Sequence, residues 1–241
     1  MIDTNSISAF LASNTIKTVA KTASVVTESV DPKTLTAASP NADSATLSTL
    51  AKQLNDSAAR AESRDSTVNT RDLGKQGLGI IYKVAGTEYH ENRKIHDAEV
   101  PDTNDPELLE RARQATQFKN GTGANPFAGL SQDQLRLIIY DESGDFTVNE
   151  RSAAFSENYA QEEVWNRAMA KKYVDEYNET GKSTNTLIEM LAHYNELPPI
   201  EKAQYPANYV ASLTSGDSNA LDIFNQQANR SSAQAENSLK S

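Results

Sequence analysis

Two predicted helices meet at the stretch Tyr140-Asp141-Glu142-Ser143-Gly144-Asp145-Phe146-Thr147-Val148-Asn149-Glu150. Its last four residues form a capping box, in which a Thr at the helix N-cap and a Glu three residues later satisfy each other's backbone donors. A second capping box, Ser131-Gln132-Asp133-Gln134, opens the helix on the other side. The stretch is therefore predicted to be a tight polar turn, and the fold to be mainly helical.

Further helix signals extend in both directions from this turn. Asp105-Pro106-Glu107 combines an N-cap Asp, a Pro at the first helical position and an acid at the positive end of the helix dipole. The helix that follows the turn is expected to reach about Asn178. Residues 71–85 are assigned to a helix, although their glycines and the run from Leu78 to Val84 fit a strand equally well. The predicted architecture is an irregular helical bundle of about five helices, built from residues 70–215.

The two ends of the chain have a different composition from its middle. Phe10 is the only aromatic residue before Tyr82. A Ser/Thr/Ala-rich segment of this kind has too little apolar area to offset the entropy lost on ordering the backbone. Residues 1–69 are therefore predicted to be a largely disordered tail with nascent helices over residues 6–26 and 43–60. Residues 216–241 are predicted to be a polar C-terminal tail.

Charge and composition exclude several classes of function. The net charge is −10, so the chain repels phosphate backbones, and we expect no nucleic-acid partner. The absence of Cys excludes disulfides and thiolate metal sites. No stretch approaches the roughly 20 apolar residues of a membrane span, and we expect no membrane insertion.

The N-terminal sequence also bears on the expected cellular location of the protein. It has neither the basic segment nor the apolar run of a cleaved secretory signal. Its Ser/Thr-rich composition is similar to the N-termini of proteins exported by flagellar and type III systems. The expected location is therefore the cytoplasm, or outside the cell by such a Sec-independent route.

The central turn resembles the calcium loop of an EF-hand. In the twelve-residue register Gly144 takes the tight-turn position, and the ligands are, in order, Asp141, Ser143, the carbonyl of Asp145, Thr147 and Glu150. The sequence departs from the EF-hand pattern at the first position, where Ile139 replaces the usual Asp, and no second loop of this kind is present. The resemblance implies a weak Ca²⁺ site at these five residues.

A longer part of the chain, about residues 89–213, resembles a family of uncharacterised pseudomonad-type bacterial proteins. The stretches that carry this resemblance are Asn125-Pro126-Phe127, residues 146–151 and residues 197–206. The resemblance implies a bacterial origin and no particular activity.

The function predicted from these observations is that of a non-enzymatic interaction protein with a protein partner. The alternative is an effector-type enzyme, a hydrolase whose site is assembled from scattered residues that sequence spacing cannot reveal. A deep pocket with converging His, Asp, Glu or Ser side chains would favour the enzyme. An interaction protein need not have such a pocket.

Overall fold

A computed structural model describes residues 42–217 and 219–226 of the chain. The described residues contain helices and connecting segments and no β-strand. The helices are α1 (Ala42–Thr67), α2 (Thr70–Ala85), α3 (Thr87–Glu91), α4 (Arg93–Asp97), α5 (Pro106–Lys119), α6 (Gln132–Ile139), α7 (Val148–Thr180), α8 (Thr184–Glu196), α9 (Pro199–Lys202) and α10 (Tyr209–Leu213). Residues 219–226 are also helical. None of the described helices is long and apolar enough to cross a membrane.

The mainly helical class is confirmed, but the predicted number of about five helices is wrong, since the described residues from 42 to 213 contain ten. The additional helices are α1, which was predicted only as a nascent helix over residues 43–60, and α3, α4 and α10, whose segments are too short for a clear periodic pattern. The helical assignment of residues 71–85 is confirmed, and both predicted capping boxes are formed.

The folded part begins before residue 70, because α1 packs against the rest of the molecule. Its inner face carries Leu50 and Leu54, which join the hydrophobic core, and Ser57, which is buried. This face was missed as a core element because it becomes polar one turn after Leu54. The predictions for residues 1–41 and 227–241 lie outside the described residues. Within the predicted C-terminal tail, Ala220 is buried, so the fold also extends past residue 215.

The first two turns of α7 form the centre of the molecule. Every residue from Val148 to Ala154 is buried, because α6, α5 and α2 pack around this end of the helix. The core residues around it are Leu54, Leu73, Ile80, Ala115, Phe127, Leu135, Ile138, Ile139, Tyr140, Phe146, Ala153, Ala154 and Ile200. The rest of α7 extends beyond this core and packs along α8.

Two glycines of α2 allow α9 to approach closely. A Cβ atom at position 74 would lie 2.4 Å from the carbonyl oxygen of Ala203, and one at position 77 would lie 2.5 Å from the side-chain nitrogen of Gln204. Gly74 is therefore required by this packing, because its neighbour is backbone, whereas at position 77 the flexible end of the Gln204 side chain could move aside. The third glycine of α2, Gly79, has no atom within 4 Å of such a Cβ.

Candidate functional site

An arginine of α1 closes the predicted calcium loop. The Nη2 atom of Arg60 donates to Asp141 at 2.5 Å and to Asp145 at 2.6 Å. The hydroxyl of Ser57 donates to the same Asp141 carboxylate. Burial of Asp141 opposes its ionisation, but the hydrogen bonds from Ser143, Ser57 and Arg60 outweigh burial and lower its pKa. The negative charge of the buried Asp141 carboxylate is therefore compensated by side chains of α1, Ser57 and Arg60.

The backbone of the loop folds around its own polar side chains. Asp141 accepts a hydrogen bond from the backbone nitrogen of Ser143 at 2.7 Å, and the Ser143 hydroxyl accepts one from the nitrogen of Asp145 at 3.2 Å. Gly144 has a φ of +96°, a conformation that glycine adopts without steric cost. The tight turn predicted at Gly144 is confirmed.

Glu150, the last predicted ligand, is held by α5. One of its carboxylate oxygens accepts a hydrogen bond from Nε of Arg111 at 2.7 Å. The other accepts from the backbone nitrogen and the hydroxyl of Thr147 at 2.8 and 2.9 Å, which completes the capping box. The side chain is fully buried, and both of its oxygens serve the fold.

The five predicted calcium ligands do not form one ligand set in this structure. Asp141 and Asp145 share Arg60, whereas Glu150 is paired with Arg111. In the part of the chain that the structure describes, no three His, Cys, Asp or Glu side chains are grouped so that they could hold a metal ion. Calcium binding at this loop stays a prediction, and the ion would have to replace Arg60 at the Asp141 carboxylate.

A groove of about 500 Å³ lies beside the loop, between α1, α6 and the start of α9. Its walls include the apolar side chains of Ala61, Leu137, Tyr140, Pro198 and Ile200. Three arginines also line it. Arg60 is bound to the two aspartates, Arg64 donates to the carbonyl oxygen of Tyr140 at 3.1 Å, and Arg136 is paired with three carboxylates. These guanidinium groups hold the surrounding helices together, so none of the three is held ready for an anionic ligand.

Arg136 is the centre of a network that joins α6, α7 and α9. It contacts Glu162 at 2.9 Å and Glu201 at 3.0 Å. Burial raises the pKa of Glu201 and outweighs the opposing effect of the arginine. Glu162 also contacts Nε2 of His193 at 3.3 Å, and the His193 ring stacks on Trp165 with ring centroids 3.9 Å apart. This network attaches α8 to the inner side of α7.

A second concave region of about 580 Å³ is lined by Ser131 and His193 among other polar residues. These are the residue types of a hydrolase, but both side chains already have structural partners. The Ser131 hydroxyl takes part in the capping box of α6, and His193 lies against Glu162. The hydrolase alternative stays a prediction that no geometry among the described residues supports.

The part of α7 beyond the core carries large apolar side chains in contact with solvent. Relative exposure is 65% for Val164, 41% for Tyr173, 54% for Val174 and 56% for Tyr177. Tyr173 and Tyr177 are four residues apart and Val174 and Tyr177 three apart, so these three side chains are neighbours on the helix surface. Val164 lies about 180° around the helix from Tyr173, so it is not part of this cluster, and we name Tyr173, Val174 and Tyr177 the outer face of α7.

The sequence reasoning missed Arg60 and Arg111 because their partners lie 81 and 39 residues away. One signal was available for Arg60. Leu50, Leu54, Ser57, Arg60 and Arg64 follow one another along α1 at spacings of three or four residues, so the polar residues that continue this face had to meet polar groups of the fold. The outer face of α7 had no such signal, because the sequence pattern along one helix does not show which of its parts are covered by neighbouring helices.

Comparisons of this chain with protein-family models, with curated proteins and with solved structures find no match.

Proposed function

We propose that this protein is a non-enzymatic interaction protein that binds a protein partner through the outer face of α7. The observation that carries the proposal is the exposure of the neighbouring side chains of Tyr173, Val174 and Tyr177 on one helix. Large apolar side chains that cluster on a surface are typical of protein–protein contact sites. Tyrosine is also among the residue types enriched in the centres of such interfaces.

The helix that carries this surface is held rigidly at one end. The first turns of α7 are completely buried, and the later turns are braced by α8 through Trp165 and His193. Lys172 and Glu176 also bind α8, through Glu189 and Thr186 respectively. A surface on a rigid helix loses little conformational entropy when a partner binds, which favours association.

Charged pairs border the apolar residues of the outer face. Arg167 contacts Glu163 at 3.0 Å, and Lys171 contacts Asp175. An apolar centre with a polar rim is the usual composition of a protein interface. Export by a Sec-independent route is compatible with this function and stays a prediction.

Site-specific photo-crosslinking in cells that produce the protein tests the proposal. A photoreactive phenylalanine derivative replaces Val174 in one variant and Gln114, an exposed residue of α5, in the control. We expect adducts of defined mass from position 174 and none from position 114. Adding Tyr177→Glu to the first variant should abolish the adducts. The absence of adducts at position 174, or equal adducts at both positions, would refute the proposal.

A further inference from the structure

Three tyrosine rings pack against one another near the C-terminal end of the described chain. They belong to Tyr194 in the last turn of α8, Tyr205 just after α9 and Tyr209 at the start of α10. The ring centroids are 4.8 Å apart for Tyr194 and Tyr209, 5.2 Å for Tyr194 and Tyr205, and 4.6 Å for Tyr205 and Tyr209. All three residues are half-buried, so small molecules in solution can reach them. We name these three residues the tyrosine cluster.

The tyrosine cluster attaches α10 to the rest of the fold. No residue of α10 is buried, and the ring of Tyr209 contacts both other rings of the cluster. Tyr194, in contrast, belongs to a helix that is anchored by the buried Leu187 and Leu191. The contact between these rings therefore joins an exposed segment to a well-packed helix.

We propose that the tyrosine cluster is an oxidative modification site, at which hydrogen peroxide activated by a haem peroxidase joins Tyr194 and Tyr209 as dityrosine. Each ring loses one electron and its phenolic proton, and the two radicals form a bond between the ring carbons that adjoin the hydroxyl-bearing carbons. The hydrogen on each bonded carbon then moves to the oxygen, which restores both phenols. In total, two hydrogen atoms leave the protein and reduce one hydrogen peroxide to two water molecules.

The geometry favours this pair over the other two pairs of the cluster. The two rings of dityrosine are twisted about the new bond, because coplanar rings bring the atoms beside the bond into contact and perpendicular rings lose conjugation. The ring planes of Tyr194 and Tyr209 meet at 41°, whereas Tyr205 meets them at 76° and 63° respectively. Tyr194 and Tyr209 already have the intermediate twist of the product.

A dityrosine would give this chain a covalent link that a disulfide cannot provide, since the chain contains no Cys. The link closes a loop of the chain that contains α9 and ends at the start of α10. Closing a loop reduces the conformational entropy of the unfolded chain, which favours the folded state. We therefore expect the oxidised protein to melt at a higher temperature than the unoxidised protein.

Oxidation of the full chain with hydrogen peroxide and a haem peroxidase, followed by tryptic peptide mapping, tests the proposal. Trypsin places Tyr194 in peptide 183–202 and both Tyr205 and Tyr209 in peptide 203–230. We expect the monomeric fraction to contain these two peptides joined, lighter than their sum by the mass of two hydrogen atoms and with the blue fluorescence of dityrosine. Fragmentation of the joined peptides should locate the bond at positions 194 and 209.

Phenylalanine variants identify the reacting pair, because phenylalanine keeps the ring and lacks the phenol that is oxidised. Tyr194→Phe and Tyr209→Phe should each abolish the joined peptides, whereas Tyr205→Phe should leave them. The exposed Tyr173 and Tyr177 share peptide 173–182 and are the internal control. Their oxidation shows that the oxidant is active, and in the monomeric fraction their peptide should not be joined to either of the others.

Three results would overturn the proposal. The first is oxidation at Tyr173 and Tyr177 without any joining of peptides 183–202 and 203–230. The second is an undiminished yield of the joined peptides from Tyr209→Phe. The third is an equal yield from the chain unfolded in urea, since the fold would then not be what brings the rings together. The interaction function is tested separately, by the adducts at position 174.

Discussion

Arg60 of α1 lies 2.5 Å from Asp141, at the beginning of the turn between α6 and α7. The Asp141 carboxylate is buried, with 3% of its side chain exposed, whereas the arginine is 41% exposed. A buried carboxylate needs compensation by hydrogen bonds or opposite charge. The contact therefore connects the first described helix to the centre of the fold and stabilises both.

Arg60→Ala should weaken the attachment of α1. Removing the guanidinium leaves the buried Asp141 with fewer donors, and a buried acceptor that loses its partner costs about 1–3 kcal/mol. We expect a loss of this size in urea unfolding, and faster tryptic cleavage after Lys52, which lies on α1. The control is Arg167→Ala, which removes a surface pair and should change stability by at most about 1 kcal/mol. Equal losses of stability for the two variants would contradict the role of Arg60 in attaching α1.

Arg60 is also the residue to substitute in a test of the predicted calcium site. If the loop binds Ca²⁺, the ion competes with Arg60 for the carboxylate of Asp141. The melting temperature should then rise more in millimolar calcium than in magnesium, and Arg60→Gln should enlarge the difference. Equal melting temperatures in the two salts, for the original chain and for the variant, would show that the loop serves only as a turn.

The ion pair between Arg111 and Glu150 should contribute more to stability than any exposed pair. Glu150→Gln keeps an acceptor for the capping box but leaves Arg111 with an uncompensated charge. Breaking a buried pair from one side costs about 3–5 kcal/mol. Chemical denaturation measures this loss. The matched control is Glu110→Gln, which breaks the exposed pair with Arg113 on the same helix and should leave the denaturation midpoint nearly unchanged.

Two alanine substitutions in α2 should act in opposite directions. Gly74→Ala places a Cβ atom 2.4 Å from the carbonyl oxygen of Ala203, and overpacking of this kind costs about 1–3 kcal/mol. Gly79→Ala meets no atom and should stabilise the exposed face of α2 by about 0.5–1 kcal/mol, because alanine is the better helix former. Thermal unfolding of both variants checks the signs. Stabilisation by Gly74→Ala would disprove the close approach of α2 and α9.

The free energy of unfolding should decrease as the pH falls below about 6.5, because the pKa of His96 is lowered in the folded state. This residue is 7% exposed, its ring stacks on Tyr89, and burial lowers its pKa from 6.5. A base whose pKa is lower in the folded state contributes stability above its unfolded pKa and loses it as the pH falls through the folded value. His96→Phe keeps a stacked ring without a titrating group, so its stability should decrease less between pH 6.5 and pH 5. His90→Phe, at an exposed position, should follow the original chain.

Much of the helical structure follows from local features of the sequence. The N-cap Asp105, the capping boxes at Ser131 and Thr147, and the turn at Gly144 all depend on residues within four positions of each other. Interactions of this range are encoded in the spacing of residue types, so they can be predicted without knowing the fold.

Only the tertiary structure determines which polar side chains contact each other. The sequence by itself supplied the aspartates and the glutamate of the loop, and their spacing resembled a calcium site. Arg60 and Arg111 come from helices that are distant in sequence, and only the packing of α1 and α5 against α7 brings their guanidinium groups to Asp141 and Glu150. The same packing covers the first turns of α7 and leaves its outer face exposed. Periodicity could not distinguish these two parts of one helix, because burial depends on neighbours that the local pattern does not specify.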